Sequence, residues 1–204
     1  MANRNHFHHE AMLALGRIGV AAAAADGPEE ALWCFNRALP GPLGDPDAVL
    51  RPNAFREPVP PAIGVAAAAF MRMPDGRHHV ITAPVNFPAE QHHELVDIQL
   101  GHPGVVAASR RPLLLRDTSL HHSFVKILQT FRAGSAMFAP LLWHDEYLGV
   151  MICANAARAT FGECDLAAFE TFGHLAAAYW MAQGGPAWLA SLDTSRLPMR
   201  DSGT

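Results

Sequence analysis

Apolar residues recur at helical spacing through the N-terminal part of the chain. The run 6–25 carries them near that spacing and ends in several alanines, which predicts a helix. A second helix is predicted over 28–39, and the segment Asp26-Gly-Pro-Glu29 at its start has the D-x-x-E order of a capping box. Seven prolines then fall within 40–61, so a long connection without regular structure is expected there.

Apolar runs broken by turn residues follow this connection and return later in the chain. They form two pairs, each predicted as a β-hairpin: 62–73 with 77–85 around Pro74-Asp-Gly76, and 135–143 with 146–154 around His144-Asp145. A further short strand is predicted over the three leucines at 113–115.

The rest of the chain is predicted to be mainly helical. Three helices are expected between the hairpins, over 88–96, 97–109 and 121–131. A long helix follows Thr160-x-x-Glu163, a second capping-box pattern, and extends to about Ala182. The polar tail beyond Gly184 is expected to be loose. This order of helices and strand pairs predicts an α+β fold, an α/β sandwich with helices on the faces of a sheet.

The composition excludes several classes of protein. Of the 204 residues, 50% are hydrophobic and 17% are charged, and the net charge is -4, which is typical of a globular domain and not of a nucleic-acid-binding protein. The chain has no apolar run long enough for a membrane span and no signal-peptide pattern. Cys34, Cys153 and Cys164 form no C-x-x-C pair, so a cytoplasmic location is the simplest expectation.

Three segments of the sequence resemble the GAF domain family. Segment 100–117 has a glycine-rich turn, a short helix, a basic-Pro step, a short strand and a terminal Asp. Segment 131–152 has small residues, an apolar strand, Pro-Leu, a turn and Leu-Gly-Val. The third is the pair Phe161 and Asp165 at the start of the last helix.

The resemblance covers about 63–182 and implies both a fold and a function. It implies a central antiparallel sheet flanked by helices, with the N-terminal and C-terminal helices packed together. The chain then divides into N-terminal helices with the proline-rich connection (1–61), a GAF domain (62–183) and a C-terminal tail (184–204). The implied function is a stand-alone sensor that binds a small anionic or polar ligand and signals through a sensor kinase or a transcriptional regulator, without contact with nucleic acid or membrane.

A homodimer is also expected, because members of this family often pair through their terminal helices. The first helix carries apolar and small residues on more than one side. The last helix carries Phe172, Tyr179 and Trp180 beyond a single apolar stripe.

In this family the ligand lies between the sheet and the segments that cover it, which here would be 86–117 and 118–131. The residues predicted to contact the ligand are Trp33, Phe87, Pro88, Ala89, His102, His121, His122 and Phe124. The stretch 86–99 contains no Arg or Lys, so a small oxyanion such as nitrate would be held by backbone N–H groups at the helix start near Phe87, Pro88 and Ala89. Phe87 or Trp33 would form an aromatic lid.

A haem-based gas or redox sensor is the alternative function. His122 stands ten residues before Arg132-Ala-Gly-Ser135, where phytochrome-like members carry the cysteine that holds a bilin. This chain has no cysteine there, so bilin attachment is not expected. No cofactor is predicted, but His121 or His122 could ligate haem iron as a neutral imidazole.

An enzyme is the further alternative, because free methionine-(R)-sulfoxide reductases share the GAF fold and are stand-alone domains. They need cysteines in the loops over the pocket, and 86–131 contains none. Cys34 and Cys153 are expected to be buried and inert. No catalytic residue is therefore predicted.

No metal site is predicted either. His78-His79 and His92-His93 are adjacent pairs, and neighbours in a helix or strand point apart, so one pair is not expected to supply two ligands. His6, His8 and His9 near the N-terminus could chelate a metal adventitiously.

Overall fold

The computed structural model describes residues 2–121 and 125–200, with side chains from His9 onward. The α-helices within these residues are α1 (Ala2–Ala23), α2 (Pro28–Ala38), α3 (Gly101–Ser109), α4 (Glu163–Ala182) and α5 (Gly185–Ser191). The strands within them are β1 (Val65–Arg72), β2 (His78–Val85), β3 (Leu95–Asp97), β4 (Leu113–Leu115), β5 (Ser135–Trp143) and β6 (Glu146–Asn155). No helix within these residues combines the length and the apolar character that crossing a bilayer requires.

The six strands form one antiparallel sheet in the order β3-β2-β1-β6-β5-β4. Both predicted hairpins are confirmed as β1–β2 and β5–β6, and β1 pairs with β6 to join them. The α+β class and the antiparallel sheet flanked by helices are therefore confirmed.

Alternation along the central strands divides the core into two layers, because successive side chains in a strand point to opposite faces. In β1, Ala66, Ala68 and Phe70 lie on one face, which we call the cavity face. Ala69 and Met71 lie on the other, which we call the helix face because α1, α2, α4 and α5 pack there.

The terminal helices pack together on the helix face, as predicted. In α1 the buried positions are Ala11, Ala14, Ile18 and Ala22, one stripe at helical spacing. In α4, Phe169, Phe172, Ala176, Ala177 and Trp180 are buried in the same core. The Gln183 side chain donates to the Ala22 carbonyl at 2.7 Å and joins the two helix ends.

Neither predicted capping box forms as expected. Gly27 is the N-cap of α2, and the Glu29 carboxylate instead accepts from the Ala83 backbone N–H at 3.1 Å. At α4 the N-cap is Gly162, whose N–H donates to Asp165 at 2.8 Å, while the Thr160 hydroxyl donates to a loop carbonyl. At α2 a longer-range partner takes the predicted capping carboxylate, whereas at α4 the cap forms locally but two residues further along the chain, at Gly162 and Asp165.

Two predicted helices over the cavity face are wrong. The span 88–96 holds only a three-residue 3₁₀ turn, Ala89–Gln91, followed by β3. Pairing with β2 explains the difference, because the His93 N–H donates to the Ile81 carbonyl at 2.9 Å. Within the predicted helix 121–131, the described residues 125–131 are irregular, and we call 125–131 the covering loop.

The described part of the C-terminal tail, residues 184–200, forms regular structure and sheet contacts, contrary to the prediction of a loose end. It contains α5 and then runs beside β3, where the Leu95 N–H donates to the Pro198 carbonyl at 2.7 Å and the Arg200 N–H donates to the Leu95 carbonyl at 2.9 Å. The tail therefore extends the hydrogen bonding at this edge of the sheet.

Candidate ligand-binding site

A cavity of about 50 Å³ lies between the cavity face of the sheet, α3 and the covering loop. The sheet contributes Ala66, Phe70, Ala136, Phe138, Ile152 and Ala154. The covering elements contribute Phe87, His102, Pro103, Val125, Ile127, Leu128 and Ala133. The alternation of β1, β5 and β6 produces the sheet wall, because every second residue of these strands points into this layer.

His102 is the one lining residue with a polar side chain among the residues that the structure describes. Its ring is buried and stacks on Phe138 at a centroid distance of 5.8 Å, and the exposed His121 ring meets it edge-on at 5.7 Å. Burial lowers the pKa of His102, and positive charge on His121 lowers it further. His102 is therefore neutral at neutral pH, and a neutral imidazole can exchange hydrogen bonds with a polar group on a ligand.

The turn before α3 directs His102 into the cavity. Gly101 has a φ of +59°, a left-handed conformation that glycine adopts without steric cost, and this bends the chain sharply at the start of the helix. Gly104 packs against the preceding turn, where a Cβ atom would lie 2.3 Å from the backbone of Gln99. Larger residues at these two positions would push the first turn of α3 away from the sheet.

The covering loop is held by buried side chains of the neighbouring edge. Gln91 donates to the Ile127 carbonyl at 3.0 Å and accepts from the Gln129 N–H at 3.1 Å. Arg200 of the tail donates to the same Ile127 carbonyl at 2.9 Å and to the Glu94 carboxylate at 2.8 Å. One wall of the cavity is thus connected directly to the C-terminal tail.

The structure brings together only part of the predicted site. Phe87 and His102 line the cavity, and His121 contacts the His102 ring from outside. Trp33 lies on the helix face, with its ring 6.0 Å from that of His92. Pro88 is half-buried, Ala89 is exposed, and neither lines the cavity. His122 and Phe124 lie outside the described residues.

The predicted anion site loses its structural basis with the helix that was expected at Phe87 to Ala89. The three-residue turn ends at once, and the N–H groups of Gln91 and His92 already donate to the carbonyls of Pro88 and Ala89. The oriented row of free N–H groups that a longer helix start supplies is not formed there.

The sheet wall of the cavity was missed in the sequence, although the signal was present. Phe70, Phe138 and Ile152 alternate with residues that face the helices, but alternation alone does not show which face carries the ligand. Val125, Ile127 and Leu128 were placed on a helix, which would have spread them around its axis rather than along one wall.

The three thiols all lie away from this cavity. Cys153 points to the helix face, and burial, with a smaller contribution from the negative charge of Asp165, raises its pKa to about 12. Burial and the negative charge of Glu30 raise the pKa of Cys34, while Cys164 is exposed at the start of α4. Thiolate chemistry is disfavoured at Cys34 and Cys153.

Comparison with known families agrees with this architecture. The model of the GAF domain family matches residues 54–180, more than half of the chain. The chain belongs to the GAF domain family. A search of curated protein sequences finds no match.

Solved GAF structures share the fold at low sequence identity. The GAF domain of a phosphoenolpyruvate-protein phosphotransferase from Coxiella burnetii superposes with a TM-score of 0.69 at 20% identity, over 87% of this chain and 98% of that chain. A protein described as a GAF sensor, from Burkholderia vietnamiensis, gives 0.66 at 14% identity, over 88% and 98%. Free methionine-R-sulfoxide reductase from Neisseria meningitidis gives 0.65 at 14% identity, over 85% and 91%. An enzyme and GAF domains of other proteins thus share this fold, so the function must be argued from the site.

Proposed function

We propose that this GAF domain is a sensor whose cavity binds a small, mainly apolar molecule carrying one polar group. The observation that supports it best is the lining, in which aliphatic and aromatic carbons surround the single imidazole of His102. Ligand sites are commonly apolar, with a few polar groups that fix orientation.

The lining favours this ligand over the small oxyanion expected from the sequence. No Arg or Lys is among the lining residues that the structure describes, and the neutral His102 supplies no full positive charge. An anion would lose its hydration without a charged partner, which is unfavourable in an apolar cavity. The polar end of a neutral ligand needs only one hydrogen bond.

The size of the cavity limits the ligand further. At about 50 Å³ it has room for roughly three to five water molecules, taking about 10–15 Å³ for each. Pockets for drug-sized molecules are roughly 300–1,000 Å³. A ligand of a few heavy atoms fits as the site stands, whereas haem would require the covering loop to move away.

The covering loop offers a route from the ligand to a partner protein. A ligand that displaces Ile127 or Leu128 acts on the carbonyl of Ile127, which both Gln91 and Arg200 bind. Arg200 belongs to the tail, whose residues 193–196 are exposed. In this proposal, ligand binding changes the position of the tail, and a sensor kinase or a transcriptional regulator binds the tail differently with and without ligand.

A non-enzymatic role accords best with the position of the thiols. A cysteine-dependent reductase needs a nucleophilic sulfur beside its substrate, and Cys34, Cys153 and Cys164 all lie outside the cavity. Replacing all three by serine or alanine should therefore leave ligand binding unchanged.

The test is a cavity-filling variant. Ala136→Leu adds three heavy atoms to the sheet wall, and we expect binding of 1-propanol or 1-butanol, measured by calorimetry, to weaken at least about tenfold. The matched control is Ala108→Leu, which makes the same change at an exposed position of α3. Native mass spectrometry of the purified protein identifies any ligand that it already carries.

Three outcomes would contradict the proposal. The first is unchanged binding of 1-propanol and 1-butanol in Ala136→Leu, and the second is nitrate binding with no binding of either alcohol. The third is a visible haem spectrum in the purified protein that disappears in His121→Ala or His122→Ala, which would favour the haem sensor.

A further inference from the structure

Glu29, His92 and His93 place three metal-ligand atoms together on the helix face, away from the cavity. The Nε2 of His92 lies 2.7 Å from one Glu29 oxygen, and the Nε2 of His93 lies 3.0 Å from the other. These three ligand atoms lie within 4.8 Å of one another. We call them the Glu-His-His cluster.

Backbone conformation explains why two adjacent histidines point to one carboxylate. His92 is extended, with φ of -70° and ψ of 122°, whereas His93 has a φ of +63°. In an extended chain, neighbouring side chains point to opposite sides, but the left-handed conformation of His93 turns its side chain to the same side as His92. The two rings therefore lie side by side with centroids 4.0 Å apart. The expectation that adjacent histidines point apart is therefore wrong here.

Surrounding groups fix each member of the cluster. The Ala83 N–H donates to Glu29, and a backbone donor on a ligating carboxylate is a common outer contact in metal sites. The Trp33 ring meets His92 edge-on at 6.0 Å, and the Trp188 ring meets His93 at 5.6 Å. Three elements, α2, the turn before β3 and α5, thus hold the rings in place.

The cluster is open enough for an ion to enter. The side chain of His92 is 38% exposed and that of His93 is 25% exposed, while Glu29 is 15% exposed beneath them. One Glu29 oxygen faces both imidazoles and the Ala83 N–H, so the carboxylate is oriented toward the opening that the two histidines leave.

We propose that the Glu-His-His cluster binds a divalent cation of the zinc type through two imidazole nitrogens and one carboxylate. Zinc accepts this ligand set, in which three protein ligands leave a fourth position for water or another small ligand. At Zn–ligand distances of about 2.0–2.1 Å, tetrahedral ligand atoms lie roughly 3.3 Å apart. The distances from one Glu29 oxygen, 2.7 Å to His92 and 3.1 Å to His93, therefore need to widen by about 0.2–0.6 Å.

Binding replaces the two hydrogen bonds of the cluster by coordination. An N–H group at Nε2 can donate to Glu29 but cannot bind a metal ion. A neutral ring frees the Nε2 lone pair when its proton moves to Nδ1, and a doubly protonated ring frees it when the Nε2 proton passes to water. Each hydrogen bond to Glu29 is then replaced by a metal–nitrogen bond, with no change of oxidation state.

The test uses the full chain with His6, His8 and His9 replaced by alanine, so that the N-terminal histidines cannot chelate the ion. Zinc chloride titration by calorimetry should show one site, and Co(II) should give the visible absorption of a low-symmetry site. Glu29→Gln, His92→Gln and His93→Asn should each weaken zinc binding by roughly 100-fold or more, above the 10–100-fold typical of outer-shell changes. Asparagine is chosen at 93 because it tolerates positive φ.

Another adjacent histidine pair, His78-His79, offers a matched control. His78 contacts the carboxylate of Asp75 at 2.6 Å, and no third ligand group joins this pair within the described part of the chain. His78→Gln should leave zinc affinity unchanged. Circular dichroism shows whether each variant folds, and pulsed electron paramagnetic resonance of bound Cu(II) in the histidine-depleted parent should detect two imidazoles. No zinc binding by that parent, one imidazole or none on Cu(II), or equal effects of His78→Gln and His92→Gln would overturn the proposal.

Discussion

At the scale of single residues, His79 is a buried base in the middle of the sheet. Its side chain has no solvent exposure, and its Nε2 lies 2.9 Å from the Tyr147 hydroxyl. Within the described residues, its Nδ1 has no hydrogen-bond partner. Burial lowers the pKa of His79 from 6.5 to about 4, and it raises the pKa of Tyr147. Protonating His79 would place an uncompensated charge inside the sheet.

This predicts a loss of stability as the pH falls. The unfolded chain takes up a proton at His79 near its ordinary pKa of 6.5, whereas the folded chain does so only near about 4, so the unfolded state is favoured between these values. Well above pH 6.5, His79 is neutral in both the folded and the unfolded chain, so it causes no loss of stability there. About 2 kcal/mol of unfolding free energy should be lost between about pH 7.5 and about pH 5, as measured by urea unfolding.

The variant His79→Gln separates this effect from all other titrations. It should be less stable at neutral pH but should lose about 2 kcal/mol less on acidification than the parent. The control His174→Gln changes an exposed histidine of α4. It should lose as much unfolding free energy on acidification as the parent. If His79→Gln lost as much unfolding free energy on acidification as the parent, the loss would come from another titrating group.

At the scale of elements, the covering loop depends on Gln91 and Arg200 more than on its own sequence. Gln91→Leu removes a buried side chain that makes hydrogen bonds to Glu94, Ile127 and Gln129, which should cost about 1–3 kcal/mol. Hydrogen exchange measured by mass spectrometry should become faster in peptides covering 125–131, while α4 stays protected.

Arg200→Gln should produce a milder increase in the exchange of the same loop, because it removes the contacts to Glu94 and Ile127. Arg196→Gln is its matched control, since Arg196 lies in the same tail but pairs only with the exposed Asp193. If both arginine variants gave the same hydrogen exchange in 125–131, the contacts of Arg200 would not stabilise the covering loop.

Elements that form through local interactions could be predicted from the sequence, whereas elements held by distant residues could not. The two hairpins have local causes, since each combines apolar runs with a turn such as Pro74-Asp-Gly76. The spans 88–96 and 125–131 have non-local causes, because β2 and the tail supply their hydrogen-bond partners. Glu29 shows the same effect, since two histidines far along the chain use the carboxylate expected to cap α2.

The candidate site was predictable only in part for the same reason. His102 lies in a segment that the family resemblance placed over the pocket, and a short helix does begin there. Trp33 was placed over the pocket, but the sequence does not show which sheet face α2 covers, and α2 packs on the helix face. The convergence of His92 and His93 depends on one positive φ, which a sequence pattern does not show.

At the scale of the whole molecule, α1 carries an apolar surface that the fold leaves uncovered. Met12 is 67% exposed and Val20 is 75% exposed, on the side opposite the buried stripe of α1. Met12 also lines a groove between α1 and α4, together with Leu15, Ala168 and Phe172 among others. The expected contribution of α4 was wrong, because Phe172 and Trp180 are buried in the core of the same chain.

The homodimer therefore stays a prediction, and α1 is now the helix expected to form most of its interface. A second copy of α1 placed along the first would cover Met12 and Val20, which removes apolar area from water at about 25 cal/mol for each Å². Light scattering at tens of micromolar should give a dimer for the parent and a monomer for Met12→Glu with Val20→Glu, since two carboxylates cannot be buried there unpaired. Val59→Glu, which places the same charge at an exposed apolar residue of the proline-rich connection, should stay dimeric. A monomeric parent would contradict the dimer, and a dimer that survives the double change would place the interface away from α1.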